Sequence, residues 1–207
     1  MTQPAVRVVL ASASPARLAT LRGAGIEPEV VPPDVDERSV VAATPAELAE
    51  LLADRKCAEV ADRLESDRRT IVVGGDSVLE LDGQPYGKPV NADEAVRRWH
   101  SMRDREGVLH SGLSVRLTGG GDGTSSRSAV SSAVVRFADL ADDEVEAYVA
   151  TGEPLGVAGA FTIDGLGGAY VRGIDGDPHT VVGLSLPLLR DLVGEFGIRW
   201  HELWRSA

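Results

Sequence analysis

Short apolar runs alternate with longer amphipathic stretches along this chain, and this alternation is typical of an α/β protein. Apolar and β-branched runs predict strands at 6–12, 27–33, 70–74, 110–117, 128–137, 158–163 and 169–174. Capping residues, or acids in a first turn, predict helices at 14–25, 44–64, 91–103, 142–150 and 182–196. We therefore expect one α/β domain over residues 1–207, built on a mixed sheet.

Glycine-containing turns separate several of these elements. The strand that begins at Thr70 pairs with the segment after Asp82-Gly83, a dipeptide that predicts a tight hairpin turn. The glycine- and serine-rich segment 119–126 predicts a flexible hairpin tip. Residues 165–168, Gly-Leu-Gly-Gly, predict a turn between the last two strands, which we expect to pair with each other.

The charge balance excludes several classes of function. The 207 residues include 21 basic and 32 acidic side chains, for a formal net charge of −11. Such a surface does not attract duplex nucleic acid or anionic membranes, so no nucleic-acid or membrane partner is expected. The single cysteine, Cys57, excludes an internal disulfide framework, and no apolar run reaches the ~20 residues that span a bilayer. We expect a cytoplasmic protein, and any phosphate that it binds must be held by a local cluster of cations.

Lysine is rare in this chain and therefore informative. Among the 21 basic residues only Lys56 and Lys88 are lysine, and the others are arginine. A lysine ammonium is a compact, rotatable point charge that a planar guanidinium does not replace. The two lysines either supply that chemistry or are leftovers of a composition biased toward arginine.

The first candidate for chemistry is the sequence Ser-Ala-Ser-Pro-Ala-Arg at 12–17, where a strand ends and a helix begins. Free backbone N–H groups at a helix start bind anions, and the hydroxyls of Ser12 and Ser14 add donors. Arg17 lies in the first turn, where a cation is unfavourable unless an anion is bound there. The alternative is an ordinary serine cap beside a solvated arginine.

Three acids within four residues form the second candidate. Asp34, Asp36 and Glu37 repel one another, and a divalent cation would relieve that repulsion. The alternative is a solvated acidic loop, as expected in a chain with many acids. The Asp34-Val35-Asp36 pair is also similar to the aspartate pairs of glycosyltransferases.

A carboxylate at the end of an apolar strand is the third candidate. Asp76 follows Gly74 and Gly75 at the carboxyl end of a predicted core strand, where open α/β sheets bind ligands. The fourth candidate, Lys88, follows the hairpin that returns from this strand, and we expect it to approach Asp76. The alternatives are a turn aspartate and a surface lysine.

These motifs, in this order, resemble the Maf family of septum-formation-inhibitor-like nucleoside triphosphate pyrophosphatases. The resemblance covers 8–198, and each motif is weak alone whereas the ordered set is specific. The matching pieces are 10–17, 34–37, the helix with Lys56, 75–77, 87–89, 148–153, 158–161 and 182–184.

This resemblance implies a fold and an activity. Family members have a long mixed β-sheet flanked by helices, with two lobes around a deep cleft, and a homodimer is expected by analogy. They are enzymes that hydrolyse a nucleoside triphosphate to the monophosphate and pyrophosphate with a divalent cation, Mg²⁺ or Mn²⁺. The resemblance implies Asp76 as proton acceptor and metal ligand, Glu37 as a second acid at the metal, and a phosphate-binding set of Arg17, Lys56 and Lys88, to which we add Ser12 and Ser14.

The positions that set base preference depart from the family. The subfamily active on dTTP and UTP has arginine at Ala16, threonine at Ser77 and glutamine at Asp164, whereas the 7-methyl-GTP subfamily has tryptophan, glutamine and glutamate. This chain matches neither set, and the usual lysine before the alanine-glycine pair is Val157. The substrate, standard or modified, is therefore left open.

Two alternative functions follow from these departures. The chain is either the enzyme described above or a catalytically weak nucleotide-binding regulator of cell division and septum formation. The retained Asp76, Glu37, Lys56 and Lys88 favour the enzyme, and the missing arginine at position 16 favours the regulator. A third hypothesis is that the chain is a nucleotidyltransferase or glycosyltransferase whose active site uses Asp34 and Asp36.

Overall fold

One mixed β-sheet of seven strands organises the computed structural model, which describes residues 6–64, 68–121 and 123–204. The strands, numbered β1 to β7, are Arg7–Ala11, Glu29–Val30, Thr70–Leu81, Gln84–Tyr86, Glu106–Thr118, Ser125–Phe137 and Val171–Asp175. Their spatial order is β2-β1-β3-β5-β6-β7, with β4 paired to β3. The expected α/β class with a long mixed sheet is confirmed, while the single domain over 1–207 stays a prediction.

Helices flank this sheet, and the first four begin within one residue of the predicted start. The α-helices, numbered α1 to α6, are Pro15–Gly23, Pro45–Arg63, Ala92–Met102, Asp142–Ala150, Pro178–Val182 and Leu186–Gly194. Short 3₁₀ helices are Glu37–Ser39, Glu153–Gly156, Ala158–Ala160, Leu166–Tyr170 and Trp200–Leu203. The hydroxyls of Ser14 and Thr44 and the side-chain carbonyl of Asn91 each accept a hydrogen bond from a first-turn N–H of α1, α2 and α3.

Two predicted elements are wrong, both because the backbone takes positive φ angles. Residues 158–163 form no strand, since Gly159 and Ala160 have φ of +71° and +62°, and β7 pairs with β6 instead. The predicted helix 182–196 is interrupted at Gly183, whose φ is +112°. A separate helix, α6, begins at Leu186, and the hydroxyl of Ser185 caps its first turn. The predicted strand 27–33 shrinks to Glu29–Val30, since the prolines around it lack a backbone donor.

The middle of β3 has an open edge. On one side β3 pairs with β5 continuously, from Thr70 to Glu80. On the other side β1 pairs in parallel only as far as Gly74, and β4 begins again only at Leu79. Within the described residues, the stretch 75–78 therefore has no strand beside it on that edge, and backbone and side chains there can meet a ligand.

Two hydrophobic clusters lie on either side of this open stretch. The first core cluster contains Ile71 and Val73 of β3 and packs against α6. The second core cluster contains Leu79 and Leu81 of β3 and the aromatic side chains of Trp99, Phe137, Tyr148 and Phe161. These clusters correspond to the two expected lobes, and the cleft between them stays a prediction.

Among residues 6–64, 68–121 and 123–204, no helix is both long enough and apolar enough to cross a membrane.

Candidate active site

Two glycines bring α2 into close contact with the sheet. A Cβ on Gly74 of β3 would lie 2.5 Å from the Ala53 carbonyl oxygen, and one on Gly112 of β5 would overlap the Ala49 carbonyl. Only glycine allows a helix backbone to approach a strand this closely. The close packing carries Lys56, on the sheet-facing side of α2, to the open stretch of β3.

Lys56 joins two carboxylates from different parts of the chain. Its Nζ lies 2.5 Å from Oδ1 of Asp76 and 2.6 Å from Oε1 of Glu37. The Lys56 and Asp76 side chains are 10% and 13% exposed, whereas Glu37 is 55% exposed. Burial of the two inner charges is tolerated because each has an opposite charge within contact distance. The structure thus brings together three residues separated by up to 39 positions.

These two carboxylates have the chemistry of a divalent cation site. Mg²⁺ and Mn²⁺ take oxygen ligands, and Mg²⁺ commonly uses one or two carboxylates together with phosphate oxygens. Asp76 and Glu37 face a common point, which the Lys56 ammonium occupies. No group of three or more His, Cys, Asp and Glu side chains with metal-binding geometry occurs in the described part of the chain. A cation could therefore use this pair only if Lys56 moved and a ligand supplied further oxygens.

Arg17 is buried on the opposite face of β3 and ties three elements together. Its Nε donates to the Gly183 carbonyl at 2.8 Å, its Nη1 to the Ser12 hydroxyl at 3.1 Å and its Nη2 to the Ser77 hydroxyl at 2.9 Å. The guanidinium passes over Gly75, where a Cβ would lie 3.2 Å from its Nε. Arg17, whose position in the first turn of a helix is unfavourable for a cation, is thus held by three hydrogen bonds to other parts of the chain.

The charge of Arg17 interacts with the carboxylates of Asp76 and Glu37 across the strand. Burial lowers the pKa of Arg17, and the negative charges of Asp76 and Glu37 raise it in part. Because successive side chains of a strand point to opposite faces, Asp76 faces α2 while Ser77 faces Arg17. Both faces contribute charge to one short stretch of β3.

The start of α1 lies beside this arginine. The Ser14 hydroxyl accepts from the Arg17 N–H at 3.4 Å, and the Ser14 N–H donates to the Ser12 hydroxyl at 3.2 Å. Pro15 has no N–H to donate, and the Ala16 N–H has no acceptor within the described residues. One backbone donor is therefore free to bind an anion at this helix start.

Two predicted site residues are not in contact with the Asp76 group. Lys88 follows the last β3–β4 pair, Leu79 with Tyr86, and its exposed side chain makes no ion pair with any described residue. Asp164 is exposed and accepts a hydrogen bond from the Thr162 hydroxyl. The expected approach of Lys88 to Asp76 is thus not seen as a contact.

Of the three acids in the acidic loop, only Glu37 belongs to the candidate site. Asp36 caps the 3₁₀ helix that carries Glu37, accepting from the Arg38 N–H at 3.2 Å. The Asp34 N–H donates to Glu59, and its exposed side chain makes no contact with Asp76. The geometry therefore does not support a transferase centre built on Asp34 and Asp36.

Sequence reasoning missed two glycines that shape this site. Gly112 lies within a predicted strand, and an isolated strand glycine is itself a sign of close backbone approach. Gly183 contributes a carbonyl to Arg17 from 166 positions away, and no local pattern announces such a contact.

Comparison with known proteins identifies similar chains. A family model described as Maf-like protein matches residues 7–196. A nucleoside triphosphate pyrophosphatase of Streptomyces coelicolor is 53% identical over 205 residues, covering 99% of this chain and 98% of that protein. A protein of the same name from Salinispora tropica is 54% identical over 202 residues, covering 96% and 88%.

A solved structure is similar at much greater distance. The nucleoside-triphosphatase, or dITP/XTP pyrophosphatase, of Mycobacterium abscessus overlaps with a TM-score of 0.39 and 16% identity. The overlap covers 92% of this chain and 94% of that one, and at this score it has no bearing on the site.

Proposed function

Because this chain belongs to the Maf-like protein family, we propose that it is a nucleoside triphosphate pyrophosphatase, which releases a monophosphate and pyrophosphate. The two relatives reported above are about half identical to this chain over most of their length, and both are named nucleoside triphosphate pyrophosphatase. The observation that carries the proposal for this chain is the Asp76–Lys56–Glu37 cluster at the open edge of β3, with Arg17 behind it.

The proposed triphosphate site uses donors and cations from several elements. The free Ala16 N–H at the start of α1 supplies one donor. Arg17 has five N–H donors, of which three are used by Gly183, Ser12 and Ser77, so two are left for phosphate oxygens. Lys56 and the exposed Lys88 add point charges, which balance a substrate of high negative charge in a strongly acidic protein.

Asp76 accepts the proton of the attacking water. Its Oδ1 is bound to Lys56, which keeps the carboxylate in place, and no described residue bonds to its Oδ2. A water held at Oδ2 would be oriented by a carboxylate that is fixed beforehand, which general-base catalysis requires. Such a base contributes about 10²–10⁴-fold to the rate.

Asp76 and Glu37 are the residues that would hold a divalent cation. When bound, the cation supplies neutralisation of phosphate charge and activation of the leaving pyrophosphate. Lys56 would then turn its ammonium toward the phosphates, which its flexible stem permits, and Asp76 would be held by the cation in place of the lysine.

The test is pyrophosphate release from a panel of standard and modified triphosphates with Mg²⁺ or Mn²⁺. The panel contains dTTP, UTP, CTP, GTP, ATP, 7-methyl-GTP and 5-methyl-UTP. We expect Asp76→Asn to lower the rate by about 10²-fold or more while the protein stays folded. Asp34→Asn is the matched control, since Asp34 is an exposed aspartate without contact to Asp76, and it should keep the wild-type rate.

The alternative function, a nucleotide-binding regulator, rests on the missing cation at Ala16. It predicts that the folded wild type binds triphosphates yet releases no pyrophosphate from any of them. That outcome would contradict the pyrophosphatase, as would equal rates in the wild type and Asp76→Asn.

A further inference from the structure

The short helix α5 ends in direct contact with the Arg17 guanidinium. The carbonyl of Gly183, the residue after α5, accepts from Arg17 Nε at 2.8 Å. A Cβ on Gly183 would lie 3.2 Å from the Ser77 hydroxyl oxygen and 3.5 Å from Arg17 Nε. The backbone at the end of α5 therefore packs on Arg17 and on the serine of β3 that holds another of its nitrogens.

Hydrogen bonds at the end of α5 set the direction of this carbonyl. The Leu184 N–H donates to the His179 carbonyl at 3.0 Å, and the Gly183 N–H donates to the Thr180 carbonyl at 3.1 Å. The Gly183 carbonyl and the Leu184 N–H belong to one planar peptide unit and point in opposite directions. Because that N–H is bonded back into the helix, the carbonyl points away from it, toward Arg17. The carbonyl therefore moves wherever α5 moves.

Thr180 joins α5 to the sheet. It is the fully buried side chain of this five-residue helix, and its Oγ1 lies 2.6 Å from the hydroxyl oxygen of Ser131 in β6. A helix this short is not stable alone, so its position depends on contacts with the rest of the protein. A buried hydroxyl without a partner costs free energy, and the pairing with Ser131 therefore favours one position of α5 on the sheet.

A row of hydroxyls on the same face of the sheet runs from Thr180 to Arg17. Ser77, Ser111 and Ser131 are register partners on β3, β5 and β6, and we call them the hydroxyl row. Register partners face the same side of a sheet, and the Ser77 and Ser111 hydroxyl oxygens lie 3.4 Å apart. Helix α5 is bound at both ends of this row, through Thr180 at Ser131 and through the contact with Arg17 beside Ser77.

From these contacts we propose that Thr180 is a positioning residue for phosphate binding, acting through α5 and Arg17. The inference rests on the proposed function, in which the two remaining donors of Arg17 bind phosphate oxygens. A guanidinium is planar and rigid, so the three donors that are already bonded determine where the other two point. Thr180 does not touch the substrate; by holding α5 it holds the carbonyl to which Arg17 Nε is bonded. Donors that are fixed before phosphate binds do not have to be ordered by it.

Apolar contacts keep α5 on the protein without this hydroxyl. Val181 packs against the second core cluster, and Leu184 belongs to the first. Loss of the Thr180 hydroxyl therefore displaces α5 without unfolding the protein. The proposal predicts an effect on substrate affinity in a folded enzyme.

Thr180→Val tests the proposal, because it removes the hydroxyl and keeps the β-branched shape. For the triphosphate that the wild type hydrolyses fastest, we expect KM to rise about tenfold and kcat to change less than about threefold. The displaced donors weaken the phosphate contact, whereas Asp76 is untouched. Thr180→Ser keeps the hydroxyl and should retain the wild-type KM. A purely structural defect would instead lower the apparent kcat through a smaller folded fraction and leave KM unchanged, and that result would overturn the proposal.

Ser131→Ala removes the same hydrogen bond from the side of the sheet. We expect the same rise in KM, and the combination with Thr180→Val should be no worse than either single variant. Ser126→Ala is the matched control, since Ser126 is an exposed serine five residues earlier in β6, and it should keep the wild-type KM. A folded Ser131→Ala with the wild-type KM would overturn the proposal, whether or not Thr180→Val folds.

A double-mutant cycle tests whether Thr180 acts through Arg17. Arg17→Lys keeps the charge and replaces the planar fork with a single ammonium group. Adding Thr180→Val to Arg17→Lys should raise KM by less than about twofold, because the group that Thr180 positions is already gone. A further rise of about tenfold would show that Thr180 acts by another route, and the proposal would be wrong.

Equilibrium binding separates this inference from the proposed function. The triphosphates of the panel are titrated, without turnover, into Asp76→Asn alone and into Asp76→Asn combined with Thr180→Val. Binding that Thr180→Val weakens about tenfold supports the inference even if the wild type hydrolyses nothing. Binding that Thr180→Val leaves unchanged overturns the inference even if hydrolysis is confirmed. Absence of triphosphate binding overturns both.

Discussion

A single ammonium group holds the centre of the site together. Lys56 stands between Asp76 and Glu37, whose charges would otherwise repel each other across a short distance. Its neutral replacement removes both ion pairs and leaves a mostly buried Asp76 without its partner, which costs more than a surface ion pair. The lysine therefore has a structural role as well as a place among the phosphate-binding cations.

We predict that Lys56→Met lowers the free energy of unfolding by about 1–3 kcal/mol. Urea denaturation measures this loss, and Mg²⁺ should restore part of it if Asp76 and Glu37 bind the cation once the lysine is gone. Lys88→Met is the matched control, because Lys88 is exposed and should leave stability unchanged. Equal stability of the two variants would contradict the structural role of Lys56.

At the scale of elements, the packing of α2 on the sheet determines where the cluster forms. The helix lies against β3 and β5 at Gly74 and Gly112, and neither position has room for a methyl group. The contacts there are with helix backbone atoms and the Cβ of Cys57, none of which can rotate away.

We predict that Gly74→Ala destabilises the protein by about 1–3 kcal/mol and lowers pyrophosphate release, because the added methyl pushes α2 and Lys56 outward. Gly23→Ala is the control: it lies in α1 with nothing within 4 Å of its Cβ position. That variant should be neutral or stabilising by up to about 1 kcal/mol. Thermal unfolding and activity assays compare them, and a Gly74→Ala protein as stable and active as Gly23→Ala would contradict the packing argument.

Local patterns predict most elements and several site residues but not the contacts between them. Serine, threonine and asparagine caps placed α1, α2 and α3 correctly, because capping depends on neighbours within four residues. The break at Gly183 was missed, since the chain turns there to give a carbonyl to Arg17, a contact across 166 positions.

The candidate site shows the same division. An acid, a lysine and an arginine of the site could be proposed from motifs, yet the ion pairs of Lys56 depend on how closely α2 packs on β3. The 3₁₀ turn at Ala158–Ala160 replaced a predicted strand because Ala160 adopts a positive φ, which its residue type does not favour. Long-range packing determines both outcomes.

At the scale of the whole molecule, two hydrophobic clusters share the strands β3 and β5. One carboxylate, that of Glu94, lies in the first turn of α3, the helix that carries Trp99 of the second cluster. Glu94 accepts from the Val90 N–H at 2.8 Å and from Arg98, and these bonds, the Val90 N–H first, lower the pKa of Glu94. A carboxyl with a lowered folded-state pKa stabilises the protein above its ordinary pKa, and that contribution is lost as the pH falls below it.

We predict that Glu94→Gln reduces stability by about 1 kcal/mol at neutral pH and flattens the loss of stability on acidification. The measurement is the urea midpoint between pH 7 and pH 3. The exposed Glu146 of α4 provides the control, and Glu146→Gln should follow the wild-type curve. If the Glu94→Gln curve ran parallel to that of the wild type, the pairing with Val90 and Arg98 would not contribute to the acid response.

The close contact between α2 and β3 also encloses the single thiol of the protein. Cys57 follows Lys56 in α2, is fully buried and donates to the Val72 carbonyl at 3.2 Å. Burial raises the pKa of this thiol to about 11, so the reactive thiolate is almost absent at neutral pH. A reagent can reach this sulfur only when α2 moves away from the sheet. The rate of thiol labelling therefore depends on how often the contact between α2 and β3 opens. Because Lys56 is the neighbour of Cys57 in α2, the same opening would separate Lys56 from Asp76, and the labelling rate would report how often this happens.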